Sequence, residues 1–163
     1  MDEVFMREAL KEAYKAYEIN EVPIGAVIVK DGKIVGRGFN QKETLKDATL
    51  HSEITAIKEA CKNLGGWRLP GCTMYVTLEP CPMCAGAIVN SRIERLVIGA
   101  RDLKTGACGS VLDITGNKNM NHKPEVKFGV LEKDCAQILQ EFFAELRKNK
   151  QEVNHGQVPF AGI

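Results

Sequence analysis

Two short segments far apart in the chain, His51-Ser52-Glu53 and Pro80-Cys81-Pro82-Met83-Cys84, constrain it more than any other feature. Cys81 and Cys84 lie three residues apart where a helix is expected to begin, so both sulfurs face one side. Pro82 suits the first helical turn, where its missing N–H costs nothing. His51 and Glu53 open a second expected helix. Side chains two apart diverge inside a helix, but at its open first turn both can converge on one point. An imidazole and two thiolates make three ligands, and zinc prefers four, which leaves a place for water. A structural zinc site would close that place. The fold must therefore bring two helix starts together.

The rest of the pattern supplies such a fold. Over residues 3–17, Phe5, Ala9, Ala13 and Met6, Leu10, Tyr17 recur at helical spacing, as in an amphipathic helix lying on a flat surface. Residues 23–29 are continuously apolar, as expected of a strand covered on both faces. Asp31-Gly32 is a hairpin signal, and residues 34–39 return as a second strand. Helix, strand and helix follow over roughly 52–63, 73–78 and 82–90. A strand over 95–100 completes a β-α-β unit expected to be right-handed. Residues 101–124 dissolve into Gly, Asn, Lys and Thr, and so long an irregular stretch is usually functional or mobile. Val126, Phe128 and Val130 alternate as a last strand. Cys135, Ile138, Leu139, Phe142, Phe143 and Leu146 then form the stripe of a last helix. Periodicity stops after Lys150, so residues 1–150 are expected to form one domain and 151–163 a disordered or loosely docked tail. The expected architecture is a three-layer α/β/α sandwich, with helices on both faces of a mixed five-stranded sheet.

With a net charge of +1, any basic surface must be local. No apolar run approaches the roughly 18 residues needed to cross a bilayer. The acidic N-terminus is unlike a secretory or transit peptide. Six cysteines would allow disulfides, but a chain of 163 residues has core enough without them, and two sit in a metal-type C-x-x-C. A reducing cytoplasm is expected. Cys61, Cys72 and Cys135 read as buried, inert thiols, and Cys108, in the irregular segment, as an exposed one.

The motif also specifies chemistry. The positive end of the second helix favours the thiolates that zinc requires. Zinc can bring the pKa of a bound water from 15.7 to about 7. Glu53, not needed as a ligand, is placed to take that water's proton and return it to a ring nitrogen, then to a departing amine. The sum is hydrolytic deamination of an amino-heterocycle. A lone C-x-x-C also reads as a redox dithiol, but the Trp and Gly usual around one are missing here.

Further residues carry a resemblance. Asn40 precedes the His51 helix and Trp67-Arg68-Leu69 follows it. Gly99-Ala100-Arg101-Asp102 leads into Lys104-Thr105-Gly106-Ala107 and Gly109-Ser110; Asn121-His122, Phe142-Phe143 and Arg147 come later. The H-x-E and P-C-x-x-C elements mark the cytidine/deoxycytidylate deaminase superfamily. With the K-T-G-A-x-G-S run, the Asn-His pair and the Phe-Phe-x-x-x-Arg ending, the chain resembles the bacterial tRNA-specific adenosine deaminases.

That resemblance implies conversion of adenosine to inosine at the wobble position of an anticodon. It implies one zinc per chain on His51, Cys81 and Cys84, with Glu53 as proton shuttle. Asn40 matches a residue that hydrogen-bonds the flipped-out base. Asp102, Lys104, Asn121, Phe142, Phe143 and Arg147 match positions near the anticodon loop of the tRNA. It also implies a homodimer, expected to bury the helix after the zinc cysteines through Ala85, Ile88 and Val89. Ser52 stands where many relatives carry Ala, a sterically mild departure.

Phe142 and Phe143 also fit the core stripe, so at least one is expected to pack inward and be lost to base stacking. Arg147, Lys148 and Lys150 complement the dipole of the last helix even without RNA. Two other functions remain open at this point. A deaminase of free guanine or cytosine would share the chemistry and differ at the pocket mouth. A structural zinc protein would need a closed fourth position or a Glu53 distant from the metal.

Overall fold

The structure, a computed structural model, describes residues 1–154. Its elements run α1 (Asp2–Glu18), β1 (Gly25–Lys30), β2 (Lys33–Phe39), α2 (Ser52–Leu64), β3 (Cys72–Leu78), α3 (Pro82–Asn90), β4 (Arg95–Ala100), β5 (Glu125–Phe128) and α4 (Glu132–Asn154). The strands lie in the order β2-β1-β3-β4-β5. β1 is antiparallel to both neighbours, and β3, β4 and β5 are parallel. This is the mixed five-stranded sheet that the sequence implies.

Alternation along the strands builds two cores. Ala26, Ile28, Met74, Val76, Leu96 and Ile98 cluster with Ala56 and Ala60 of α2 and with Ala85 and Ile88 of α3. Val27, Val29, Tyr75 and Val97 join Met6, Ala9, Leu10 and Ala13 of α1, and Cys135 and Ile138 of α4. Central strands buried on both faces need apolar side chains at every position, hence the uninterrupted run in β1. The β1–β2 turn has φ of 50° at Asp31 and 74° at Gly32, as a type I′ hairpin turn requires. A Cβ on Gly36 would strike the carbonyl of Ala56, and one on Gly38 the carbonyl of Ser52. Bare backbone in β2 therefore lets α2 approach closely and fixes where its first turn sits.

Three expectations are corrected. The last strand stops at Phe128: the Gly129 N–H donates to the Ile98 carbonyl at 2.9 Å, and φ of 88° at Gly129 turns the chain across the sheet. Val130 consequently joins the α1/α4 core, opposite Val126 and Phe128. Helix α4 continues past Lys150 to Asn154, so part of the expected tail is helical; the remainder, including His155, lies outside the described residues. Ala85, Ile88 and Val89 are at most 1% exposed within this chain's own core, so they cannot be a dimer face.

Candidate metal centre and substrate cleft

His51 is the N-cap of α2 and Cys81 the N-cap of α3, both in extended backbone, with Pro82 opening α3. Neither side chain caps its helix. N-cap positions favour Ser, Thr, Asp or Asn, and an unused cap costs about 1 kcal/mol. Here the cap side chains turn to each other instead. His51 Nδ1 lies 3.6 Å from Cys81 Sγ and 3.5 Å from Cys84 Sγ. One ligand atom from each of the three residues falls within 4.8 Å of the others. A tetrahedral zinc with bonds of about 2.3 Å to sulfur and 2.05 Å to nitrogen would set S···N near 3.6 Å. The cluster fits a metal ion of that size, and two helix N-termini supply positive potential to its thiolates.

A hydrogen bond with Cys84, and another with His51, bring the Cys81 thiol down to about 4. Cys84 is pushed strongly upward, first by that shared bond, then by burial and by Glu53. His51 is made more basic, chiefly by Cys81, against burial. Glu53 is 3% exposed, and burial raises its carboxyl above the usual range. Ser52, itself fully buried, donates to Glu53 Oε1 at 2.6 Å.

These groups floor a cleft of about 140 Å³, walled by Asn40, Lys42 and Ile24 on one side and by Leu78, Glu79, Asp102 and Thr105 on the other. A larger groove of about 370 Å³ separates α1 from α4, but Arg7, Tyr14, Asp134 and Gln137 line it and none belongs to the His–Cys–Cys cluster. Asn40 is held rigidly: its Nδ2 donates to the Val22 carbonyl at 3.2 Å, and its Oδ1 accepts from the Lys42 N–H at 3.2 Å.

A family model described as MafB19-like deaminase matches residues 1–147. The tRNA-specific adenosine deaminase of Bacillus subtilis (strain 168) is 53% identical over 150 residues, covering 92% of this chain and 93% of its own. This chain belongs to the tRNA-specific adenosine deaminase family. A structure solved in work on A-to-I editing by tRNA:A34 deaminases at the wobble position superposes with a TM-score of 0.80 at 49% identity, covering 83% of this chain and 98% of that one. A guanine deaminase from Nitrosomonas europaea shares the fold alone: TM-score 0.77 at 23% identity, covering 87% and 84%.

Against that family, the residues singled out in the sequence divide into two groups. His51, Glu53, Cys81, Asn40 and Asp102 meet around one cleft, with Cys84 behind. Asp102 spends its carboxylate on its own turn, accepting from the N–H of Lys104 and of Thr105 and from the Thr105 hydroxyl. Lys104 is exposed on that turn. Asn121 is exposed beside His122, whose Nε2–H donates to the Ile93 carbonyl at 2.6 Å. Phe143, 40% exposed, and Arg147 lie on α4, outside the cleft. Phe142 is 4% exposed, edge-on to Tyr17 and Phe143. Its ring is spent on packing, which corrects its assignment as a base-contacting residue and leaves Phe143 as the available aromatic.

Cys108 also departs from expectation. It is 5% exposed, and its thiol is pushed up to about 12 by burial. Cys72 and Cys135 are buried as expected, whereas Cys61 is only partly so. The sequence reading missed Lys42, Thr105 and Glu79 in the cleft lining, and the buried Glu21 outside it. Glu79 had one signal: it is a lone charge beside Pro at the end of an apolar run, Leu78-Glu79-Pro80.

Proposed function

We propose that this chain is a zinc-dependent hydrolase that converts adenosine to inosine at the wobble position of a tRNA anticodon. The observation that carries the reading is the His51–Cys81–Cys84 cluster with Glu53 beside it in a base-sized cleft, in a chain about half identical to named tRNA adenosine deaminases. A volume of about 140 Å³ is well below the roughly 300–1,000 Å³ of drug-sized pockets. One flipped base fills it, while the rest of the loop stays outside.

His51, Cys81 and Cys84 hold one zinc, which when bound supplies the Lewis acidity that makes water nucleophilic near neutral pH. Glu53 takes the proton of the attacking water, delivers it to a ring nitrogen of adenine, and carries another to the amine that departs as ammonia. Asn40, with its amide plane fixed, offers its remaining N–H and oxygen lone pair to the base.

Asp102 on the cleft wall, and Lys104, Asn121, Phe143 and Arg147 outside it, face the flanking nucleotides, with Phe142 bracing Phe143 from behind. The protein acts as a homodimer in the cytoplasm, through a deaminase domain of residues 1–150. Met83 on α3, and Leu103, Val111 and Leu112 in the segment after β4, are large apolar side chains at least 37% exposed, and they support a partner surface. The decisive assay compares a tRNA bearing adenosine at the wobble position with free guanine and cytosine. Efficient turnover of free bases with no action on the tRNA would replace this reading by a nucleobase deaminase.

A further inference from the structure

Glu79 is a carboxylate only 3% exposed at the end of β3. The salt bridges of the described residues do not include it. Four donors converge on it instead. Oε1 accepts from the Asp102 N–H at 3.2 Å and the Ser110 hydroxyl at 2.5 Å; Oε2 accepts from the N–H of Cys108 at 3.0 Å and of Ser110 at 3.2 Å. A carboxylate, with two acceptor oxygens, suits four such donors; no neutral side chain offers the same. Gly106 sits against it so tightly that a Cβ there would strike both Glu79 and the Asp102 carbonyl. Beside it, the Ala107 N–H donates to the Pro80 carbonyl at 2.8 Å.

These bonds tie two things together. Glu79-Pro80-Cys81 is the arm that carries a metal-ligating thiol, and residues 102–110 form the wall that carries Asp102, Lys104 and Thr105. We propose that Glu79 is a positioning residue for substrate, which ties the cleft wall of residues 102–110 to the arm that holds Cys81. In this role Gly106 and Ser110 are needed by Glu79 itself: the first leaves room for the carboxylate and the second bonds it from the far end of the loop. Residues 102–110 form no helix or strand and only Ala107 and Cys108 among them reach the apolar core, so without a central acceptor the loop would lose its shape before the sheet did. Glu79 lines the cleft wall, but its oxygens are spent on these four donors, so it acts through the loop. The proposal rests on the deaminase reading above, because that reading makes this wall a substrate contact.

The test is Glu79→Gln in the full chain, with Ser110→Ala as a milder variant that removes one of the four donors. Both are compared with wild type on an anticodon stem-loop bearing adenosine at the wobble position. Wild-type turnover of that stem-loop is the control on the deaminase reading; if it fails, that reading falls before Glu79 is tested. The expected result is a KM raised about tenfold or more for Glu79→Gln and several-fold for Ser110→Ala, with kcat within about threefold and zinc content unchanged. Amide hydrogen exchange should quicken within residues 102–110 and stay unchanged in β3 and β4. Two results would overturn the proposal: KM unchanged with exchange unchanged, or kcat and zinc content falling together at constant KM. The latter would make Glu79 a support for the Cys81 arm alone. If Glu79→Gln does not fold, Ser110→Ala decides by the same readouts.

Discussion

Glu53→Gln separates chemistry from architecture more cleanly than any other change in this chain. Gln has the volume of Glu and keeps an oxygen that can accept from Ser52, now 2.6 Å away from Oε1. Packing and the local hydrogen bond therefore survive, and His51, Cys81 and Cys84 are untouched. What disappears is the ability to take a proton and return it. General acid–base catalysis contributes about 10²–10⁴-fold, and at 1.36 kcal/mol per decade this is about 3–5 kcal/mol of barrier. One group serves several transfers here, so the loss should sit at the upper end and fall on kcat. Stability should move the other way. Burial raises the Glu53 carboxyl above its unfolded value, so ionising it opposes folding. That penalty is absent below the unfolded pKa of about 4.3 and grows as pH rises. The variant should therefore be at least as stable as wild type at pH 7. Single-turnover deamination, metal analysis and thermal melts on one preparation check all three. A variant with activity within tenfold of wild type, or one that loses its metal, would refute the assignment of Glu53 as proton carrier and non-ligand.

Three further outcomes follow from other contacts. Asp2 accepts two bonds at 2.8 Å from Arg95, one from Tyr75 and one from Lys127, and chiefly Arg95 holds its carboxyl well below the usual range. Asp2→Asn should cost about 2 kcal/mol in denaturant melts; because the folded carboxyl is depressed, the gap should be full above about pH 5 and fade as pH falls below the unfolded value of about 3.9. A Cβ at position 38 would come within 2.9 Å of Thr55 Cβ and 2.8 Å of the Ala56 nitrogen, so Gly38→Ala should destabilise by about 1–3 kcal/mol and weaken zinc retention by shifting the start of α2; normal metal affinity would show that α2 is not set by β2. Lys104→Ala and Arg147→Ala should each weaken tRNA binding and reduce the slope of log K against log salt by about 0.7, with zinc content constant; an unchanged slope would remove that residue from the phosphate contacts.

The fold was legible because its signals are periodic. Strands buried on both faces leave unbroken apolar runs, and the helices on each face leave stripes. The exceptions were places where chain direction changes in three dimensions. Val130 continues the alternation of Val126 and Phe128, yet the turn at Gly129 sends it to the other core. Ala85, Ile88 and Val89 look like an open apolar face, and only the sheet they cover shows otherwise. The candidate metal ligands were legible because metal chemistry fixes residue type and spacing. Glu79 was not, since its four donors come from positions 102 to 110 and no spacing rule links them to it. Phe142 and Phe143 are adjacent and chemically identical; only the register of α4 against Tyr17 assigns one to the core and the other to the surface.

The proposed zinc site would also load stability onto its metal. His51 and Cys81 occupy two N-caps without capping them, together forgoing about 2 kcal/mol of helix stabilisation. Glu53 is raised by its burial, and it adds to the upward push on Cys84 that the bond with Cys81 and burial begin. On the zinc reading proposed above, a dication that binds the folded chain and not the unfolded one would offset each of these costs, since such a ligand stabilises by its own binding free energy. Chelation of zinc should therefore lower the melting temperature markedly, and Cys84→Ser should reproduce the fall, while Glu53→Gln should not. Re-addition of zinc should restore wild type fully and Cys84→Ser only in part. A melt indifferent to chelator would mean that the His51–Cys81–Cys84 cluster stands without metal, and the catalytic assignment built on it would fail with it.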